Sequence, residues 1–261
     1  MSLETNTRAA RSIAARELRR FFRQKSRVWS TFARPLFWLF VVGPGFGRFL
    51  ARSDGPSYQQ FLFPGVLGIV VLFGSILSAL STVSDRELGS VRAILIAPIP
   101  RSTIVLGKVM GGALLASLQG LLVLFLAPLL SLPLSVVQIL SVIGCLLLTS
   151  MAISSLGMML AARIDSLENF SAIMNFVIFP MFFLSGGLYP VKLLPEPLRI
   201  LVSVNPFTYG IDLFKHVLLR TAEFPPALDI AVLLGVIVIA ATGATLLFDK
   251  ESKLMRAAKI R

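Results

Sequence analysis

Residues 180–215 read P-M-F-F-L-S-G-G-L-Y-P-V-K-L-L-P-E-P-L-R-I-L-V-S-V-N-P-F-T-Y-G-I-D-L-F-K. The apolar run from Phe170 to Leu184, with the next few residues, is long enough to cross a bilayer. Ser185-Gly186-Gly187 and Pro190 then break the helix, and Pro195, Pro197 and Pro206 punctuate the residues beyond the break. The stretch reads as a membrane helix that stops, folds back and restarts. Asn205 before Pro206 marks the restart, because Asn caps free amides and Pro suits the first helical position. In that last helix Phe207, Ile211 and Phe214 form the apolar side, with Asp212, Lys215 and His216 expected on the wetter one.

The rest of the chain agrees with a membrane setting. Of 261 residues 56% are hydrophobic and 15% charged, against about 25% charged in soluble globular domains. The composition gives an all-α polytopic membrane protein. One cysteine, Cys145, and one histidine, His216, exclude a disulfide framework and a multi-histidine metal site. Six segments are long enough to span, near 28–50, 61–83, 104–130, 136–161, 170–188 and 228–248. Gly43-Pro44-Gly45 should kink the first. Small-residue pairs at Gly43/Gly47 and Gly107/Gly111 allow close helix packing, within one subunit or across a dimer.

Charge orients the chain. Arginines and lysines crowd residues 8–27, the loops holding Arg86, Arg92, Arg101, Lys108 and Arg163, and the tail from Lys250 to Arg261, so both termini are expected in the cytoplasm. Topology and anionic headgroups then account for the net charge of +12, without nucleic acid. Residues 1–27 divide off as a basic segment in which 8–24 resemble an interfacial helix, residues 28–248 form the six-span domain, and 249–261 form a basic tail. Arg19-Arg20-Phe21-Phe22 resembles a twin-arginine signal, but the next apolar run is of spanning length and fits a signal anchor.

The second cytoplasmic loop, residues 84–108, places Leu88, Val91, Ile94 and Leu95 between the acidic pair Asp85/Glu87 and a Pro98-x-Pro100 stop. A short amphipathic helix held just outside the membrane suits docking into a partner's groove. Gly107-Lys108 is not the end of a phosphate-binding loop, since Ser102 stands where that loop needs Gly and Val109 where it needs Ser or Thr.

These two regions, in a six-span chain of this length, resemble the membrane subunit of ABC-2 type ABC exporters. In that family the loop between the second and third spans reads like E-x-G-(x)-L-x-x-L-x-x-x-P-…-G-K, and Glu87, Gly89, Leu95, Pro98, Gly107 and Lys108 stand in those places. The later motif resembles S-G-x-x-x-P-…-L-P-…-N-P-x-x-Y, matched by Ser185, Gly186, Pro190, Leu194, Pro195, Asn205, Pro206 and Tyr209. Where relatives often carry D-x-x-R, this chain has Asp212 and Lys215, which lacks the planar guanidinium.

The resemblance implies a permease of the prokaryotic inner membrane, two copies forming the path, with no cofactor of its own. Two copies of a separate ATPase would use ATP and Mg. Asp85, Glu87, Gly89, Leu95 and Pro98 would belong to the coupling helix, residues 8–24 to a connecting helix beside it. Ser185, Gly186, Pro190, Pro195, Asn205, Pro206 and Tyr209 would build short re-entrant helices between spans five and six, at the extracellular gate. The cargo implied is amphipathic, lipid-linked, glycan-like or drug-like. An ion-coupled carrier is the rival transport class, but no charged residue lies near the middle of a span. A membrane-embedded lipid-modifying enzyme would have to work with Asp212, Lys215 and His216, which form no recognised catalytic set.

Overall fold

The computed structural model describes residues 3–23, 33, 35–50, 57–88 and 100–258. All regular structure among them is helical. Nine α-helices among these residues run in chain order: α1 Leu3–Arg23, α2 Gly43–Leu50, α3 Tyr58–Glu87, α4 Arg101–Leu124, α5 Val136–Ala161, α6 Leu167–Phe183, α7 Glu196–Val204, α8 Pro206–Leu219 and α9 Pro226–Ala258. A π-helical segment, Trp38–Val42, leads into α2.

Four helices among the described residues are long and apolar enough to cross a membrane: α3, α4, α5 and the Pro226–Phe248 part of α9. They match four of the six expected spans. The other two appear as shorter apolar helices, Pro35–Gly47 and Leu167–Phe183. Part of the first expected span lies outside the described residues. The fifth ends at Phe183 because Ser185 turns its hydroxyl back onto the Phe182 carbonyl at 2.6 Å, and Gly186 takes a left-handed φ of 72°.

The Gly43-Pro44-Gly45 kink takes a specific form. Pro44 has no N–H to give, and the helix widens just before it, Gly43 N–H bonding the Trp38 carbonyl five residues back. The Leu39 carbonyl, which Pro44 cannot serve, accepts from Gln59 Nε2 at 3.3 Å.

Helix α3 is the central post, buried on nearly every face and packed on α4, α5, α6 and α8. Its core is continuous with Phe170, Phe182, Phe207 and Phe214. Hydroxyls stitch the middle of the bundle: Ser75 Oγ donates to the Ser150 carbonyl at 3.4 Å, and Ser117 and Ser150 bond through their hydroxyls at 3.1 Å. Such bonds hold helices together where lipid supplies no hydrophobic drive between them.

Two capping boxes serve twice. Gln60 closes the start of α3 through Ser57, and its Nε2 reaches the Leu130 carbonyl at 3.0 Å. Gln138 closes the start of α5 through Ser135, and its Nε2 reaches the Val217 carbonyl at 3.1 Å. Each cap therefore fixes a helix start and ties it to a neighbouring turn.

At the same end, α3 touches the Ser185-Gly186-Gly187 turn backbone to backbone. A Cβ on Gly65 would lie 2.3 Å from the Gly187 carbonyl oxygen. Replacing Gly65 by Ala should therefore lower stability by about 1–3 kcal/mol, the usual effect of overpacking. Gly45, with open space at its Cβ position, should tolerate Ala. Thermal unfolding of the two variants in detergent checks the contrast, and equal midpoints would remove the claim of a tight α3 contact.

Candidate functional site

Helix α1 carries Ala10, Ile13, Ala14 and Glu17 at helical spacing, and this face lies on α4. Gly107 and Gly111 make the seat: a Cβ on either would lie 3.1 Å from the Cα of Ala10 or Ala14 respectively. The small-residue pair thus works within the subunit. Arg8, Arg11, Arg19 and Arg23 remain on the exposed side.

At this seat four charges from three helices meet. Lys108 Nζ of α4 lies 2.7 Å from Asp85 Oδ2 of α3 and 3.7 Å from Glu17 Oε1 of α1. Arg16 Nη2 reaches Asp85 Oδ2 at 3.0 Å and Glu17 at 3.5 Å. Lys108 and Glu17 side chains are each 5% exposed, whereas Arg16 is 48% exposed. A buried lysine between two carboxylates balances charge locally and gives each ion a partner.

The next residue of α3 continues the pattern toward the other side. Arg86 Nη1 donates to the carbonyls of Ala161 and Ile164, each at 2.9 Å, and Nη2 donates to Ala162 at 3.3 Å. Its guanidinium lies 5.4 Å from the centre of the Phe248 ring on α9. A cation over the last carbonyls of α5 satisfies orphan acceptors and opposes the helix dipole. Asp85 and Arg86 together fasten α3 to α1, α4, α5 and α9.

Asp85 is thus not a free end of the loop motif but the buried centre of the ion cluster. Glu87 is the last residue of α3 and is exposed. Gly89, Leu95 and Pro98 lie outside the described residues.

The motif residues at the opposite end come together. Ser185, Gly186 and Pro190 form the turn after α6, Pro195 caps α7, and Asn205 and Pro206 open α8. Asn205 Oδ1 accepts from Phe207 N at 3.1 Å, as its capping role requires, and Nδ2 donates to the Met181 carbonyl at 2.7 Å. Tyr209 donates to the Ser203 carbonyl at 2.7 Å, closing α7 onto α8. Tyr58 of α3 donates to the Leu188 carbonyl at 3.1 Å, and Tyr189 to that of Phe183.

Asp212 and Lys215 are not on a wet side. They are 2% and 4% exposed, while His216 is exposed. Lys215 Nζ donates to the Gly186 carbonyl at 2.6 Å and sits 4.7 Å from the Phe61 ring centre. Burial pushes its pKa below the ordinary lysine value, and the Asp212 and Glu223 carboxylates oppose that shift. Asp212 accepts from the amides of Glu223 and Phe224 at 2.9–3.0 Å, holding the turn into α9. A single-point bond to one carbonyl is compatible with an ammonium at 215.

Sequence reasoning passed over Glu17 and Asp229 and read Arg86 as a loop cation. Glu17 had a signal, being an acid amid the arginines of residues 8–27. Asp229, in the first turn of α9, is wholly buried. Neither of its carboxylate oxygens has a hydrogen-bond partner among the described residues. No three His, Cys, Asp or Glu side chains among those residues gather as a metal site.

Residues 8–219, from α1 through α8, match the ABC-2 type transporter family. The chain belongs to that family. This ABC-2 protein is 31% identical over 228 residues to Nodulation protein J of Rhizobium leguminosarum bv. viciae, covering 86% of each chain. It is 28% identical over 236 residues to the inner membrane transport permease YadH of Escherichia coli (strain K12), covering 88% of this chain and 90% of that one. A putative transport permease, ycf38 of Cyanophora paradoxa, is 28% identical over 191 residues, covering 70% of this chain and 66% of that one.

In this ABC-2 chain the buried Lys108 should dominate the stability of the α1 end. Lys108→Met takes the buried cation away from Asp85 and Glu17 and leaves the half-exposed Arg16 beside both, a change expected to cost about 3 kcal/mol, the low end for a broken buried pair. Adding Asp85→Asn should restore part of that, because it removes one of the two negative charges. Chemical unfolding in detergent of the two single variants and the double would show the coupling. Additive effects would mean that the two residues do not act as a pair.

Proposed function

We propose that the chain is the membrane half of an ATP-driven exporter in the prokaryotic inner membrane. Two copies form the path, and two copies of a separate ATPase, which binds ATP and Mg, dock at the α1 end. On this reading α1 and both termini are cytoplasmic, residues 28–248 are the six-span transport domain, and 249–261 form a basic cytoplasmic tail. Membership of the ABC-2 family, with relatives named as transport permeases, supports the class.

One observation carries the coupling. The loop that bears the family motif leaves the membrane from the residue pair Asp85-Arg86, whose charges fasten α3 to four other helices. A displacement imposed on Glu87, Gly89, Leu95 or Pro98 by an ATPase would therefore move the α1 end of the bundle as one body. Glu87 faces outward to meet the partner, and Asp85 anchors the root of the lever. Because α3 runs unbroken from Asp85 to the Gly65 contact with Gly187, the same motion reaches the turn of Ser185 and Gly186. Pro190, Pro195, Asn205, Pro206 and Tyr209 complete that turn as the outer gate. An amphipathic, lipid-linked, glycan-like or drug-like molecule suits a path lined by such helices.

Gentle detergent extraction should bring down a Walker-motif ATPase with the chain. The Glu87→Arg variant should insert normally, retain ATP hydrolysis in the complex and lose export. Full export by that variant would refute the coupling role, and repeated failure to recover any ATPase would refute the exporter assignment.

A further inference from the structure

Between Lys108 and Arg163 the chain has no Asp, Glu, Lys, Arg or His, yet this stretch contains most of α4, the turn and the whole of α5. A connection that reached water would ordinarily carry several polar or charged residues, and residues 125–135 have two serines, Ser131 and Ser135. This one exposes Phe125 (74%) and Leu129 (68%), and the first turns of α5 expose Val136, Val137 and Leu140.

Part of the tip's backbone is satisfied within the protein. The Ala127–Leu130 segment is a 3₁₀ turn, Ser131 N–H bonds the Pro128 carbonyl at 3.0 Å, and Leu132 N–H bonds that of Ala127 at 3.2 Å. Pro128 and Pro133 have no N–H to leave unpaired. The Leu130 carbonyl takes Gln60 Nε2 at 3.0 Å. Internal satisfaction of this kind is what irregular backbone needs inside hydrocarbon.

Within the tip lies a cavity of about 580 Å³, walled by Leu121, Leu124, Leu132, Pro133, Leu134 and Ile139, with Ser131 the one polar residue of its lining. We propose that this cavity holds an acyl chain of a bilayer phospholipid. Phe125, which lines it, is also exposed, so the cavity lies beside apolar surface of the kind that faces hydrocarbon. The lining carries no charge and a single hydroxyl, which suits a tail and leaves a headgroup outside. The size falls within the roughly 300–1,000 Å³ of small-ligand pockets. In lipid the gain comes from packing atoms against walls that otherwise face a void.

The test places the full chain in nanodiscs of phosphatidylethanolamine and phosphatidylglycerol. A small fraction of the phospholipid carries a diazirine at the end of its chain. After photolysis, labelling of residues 121–139 should exceed, several-fold, that of the ordinary exposed face of α9 at Leu234, Val238 and Ile239. Leu121→Trp and Ile139→Trp fill the cavity from opposite walls, and either should bring hairpin labelling down to the α9 level while α9 labelling stays constant. Equal labelling of hairpin and α9 in the unaltered chain overturns the proposal. Hairpin labelling untouched by both tryptophans also overturns it. So does labelling that appears only with one chain per disc, because a second copy is then the occupant.

Discussion

The contact of Lys108 with Asp85 is the interaction on which the α1 end depends. At 2.7 Å, and with both side chains largely removed from solvent, each ion offsets much of the other's desolvation. Glu17 and Arg16 join because the lysine alone faces two carboxylates, and their arrival fixes α1 on the glycines of α4. An amphipathic helix rich in arginine could otherwise lie anywhere along a membrane surface. Here its small face and its one buried acid specify a single seat. Arg86 then extends the order to α5 and α9 by covering carbonyls that a helix end leaves exposed.

Helix α3 transmits that order. Its 30 residues make a rod of about 45 Å at 1.5 Å per residue, with ion pairs at one end and backbone contact with a glycine turn at the other. Side-chain packing can yield by rotamer changes. The contact of Gly65 with Gly187 has no side chain to yield, and Lys108 and Asp85 hold each other with little solvent exposure. Both ends of α3 are therefore closely held, and the hydroxyl bonds midway tie α4 and α5 to it.

Much of this was legible in the residues. Hydropathy located α3, α4, α5 and α9 because their apolar runs exceed bilayer thickness. The Asn205-Pro206 start was readable because capping is local chemistry, decided within three residues. Burial of Asp212 and Lys215 was not readable. Helical periodicity puts Asp212 away from Phe207 and Phe214 and Lys215 on the flank of that face, and only tertiary contacts reveal that these sides are also covered, by the turn at Gly186 and the amides of Glu223 and Phe224. Pro44 announced a distortion, but its π form depends on Gln59 from another helix being in reach. Asp85 and Glu87 looked equivalent in the loop motif. Two residues apart on a helix, they face different directions, one toward Lys108 and one outward.

The ion cluster also bears on the order in which the protein can be made. Arg16 and Asp85 are 69 residues apart in the chain, so at 5–20 residues per second roughly 3–14 s pass between their syntheses. During that interval Glu17 has neither Lys108 to neutralise it nor Gly107 and Gly111 to receive its helix. Helix α1 thus leaves the ribosome before the helix that seats it, and until α4 has been inserted its arginines can hold the nascent chain to the membrane surface.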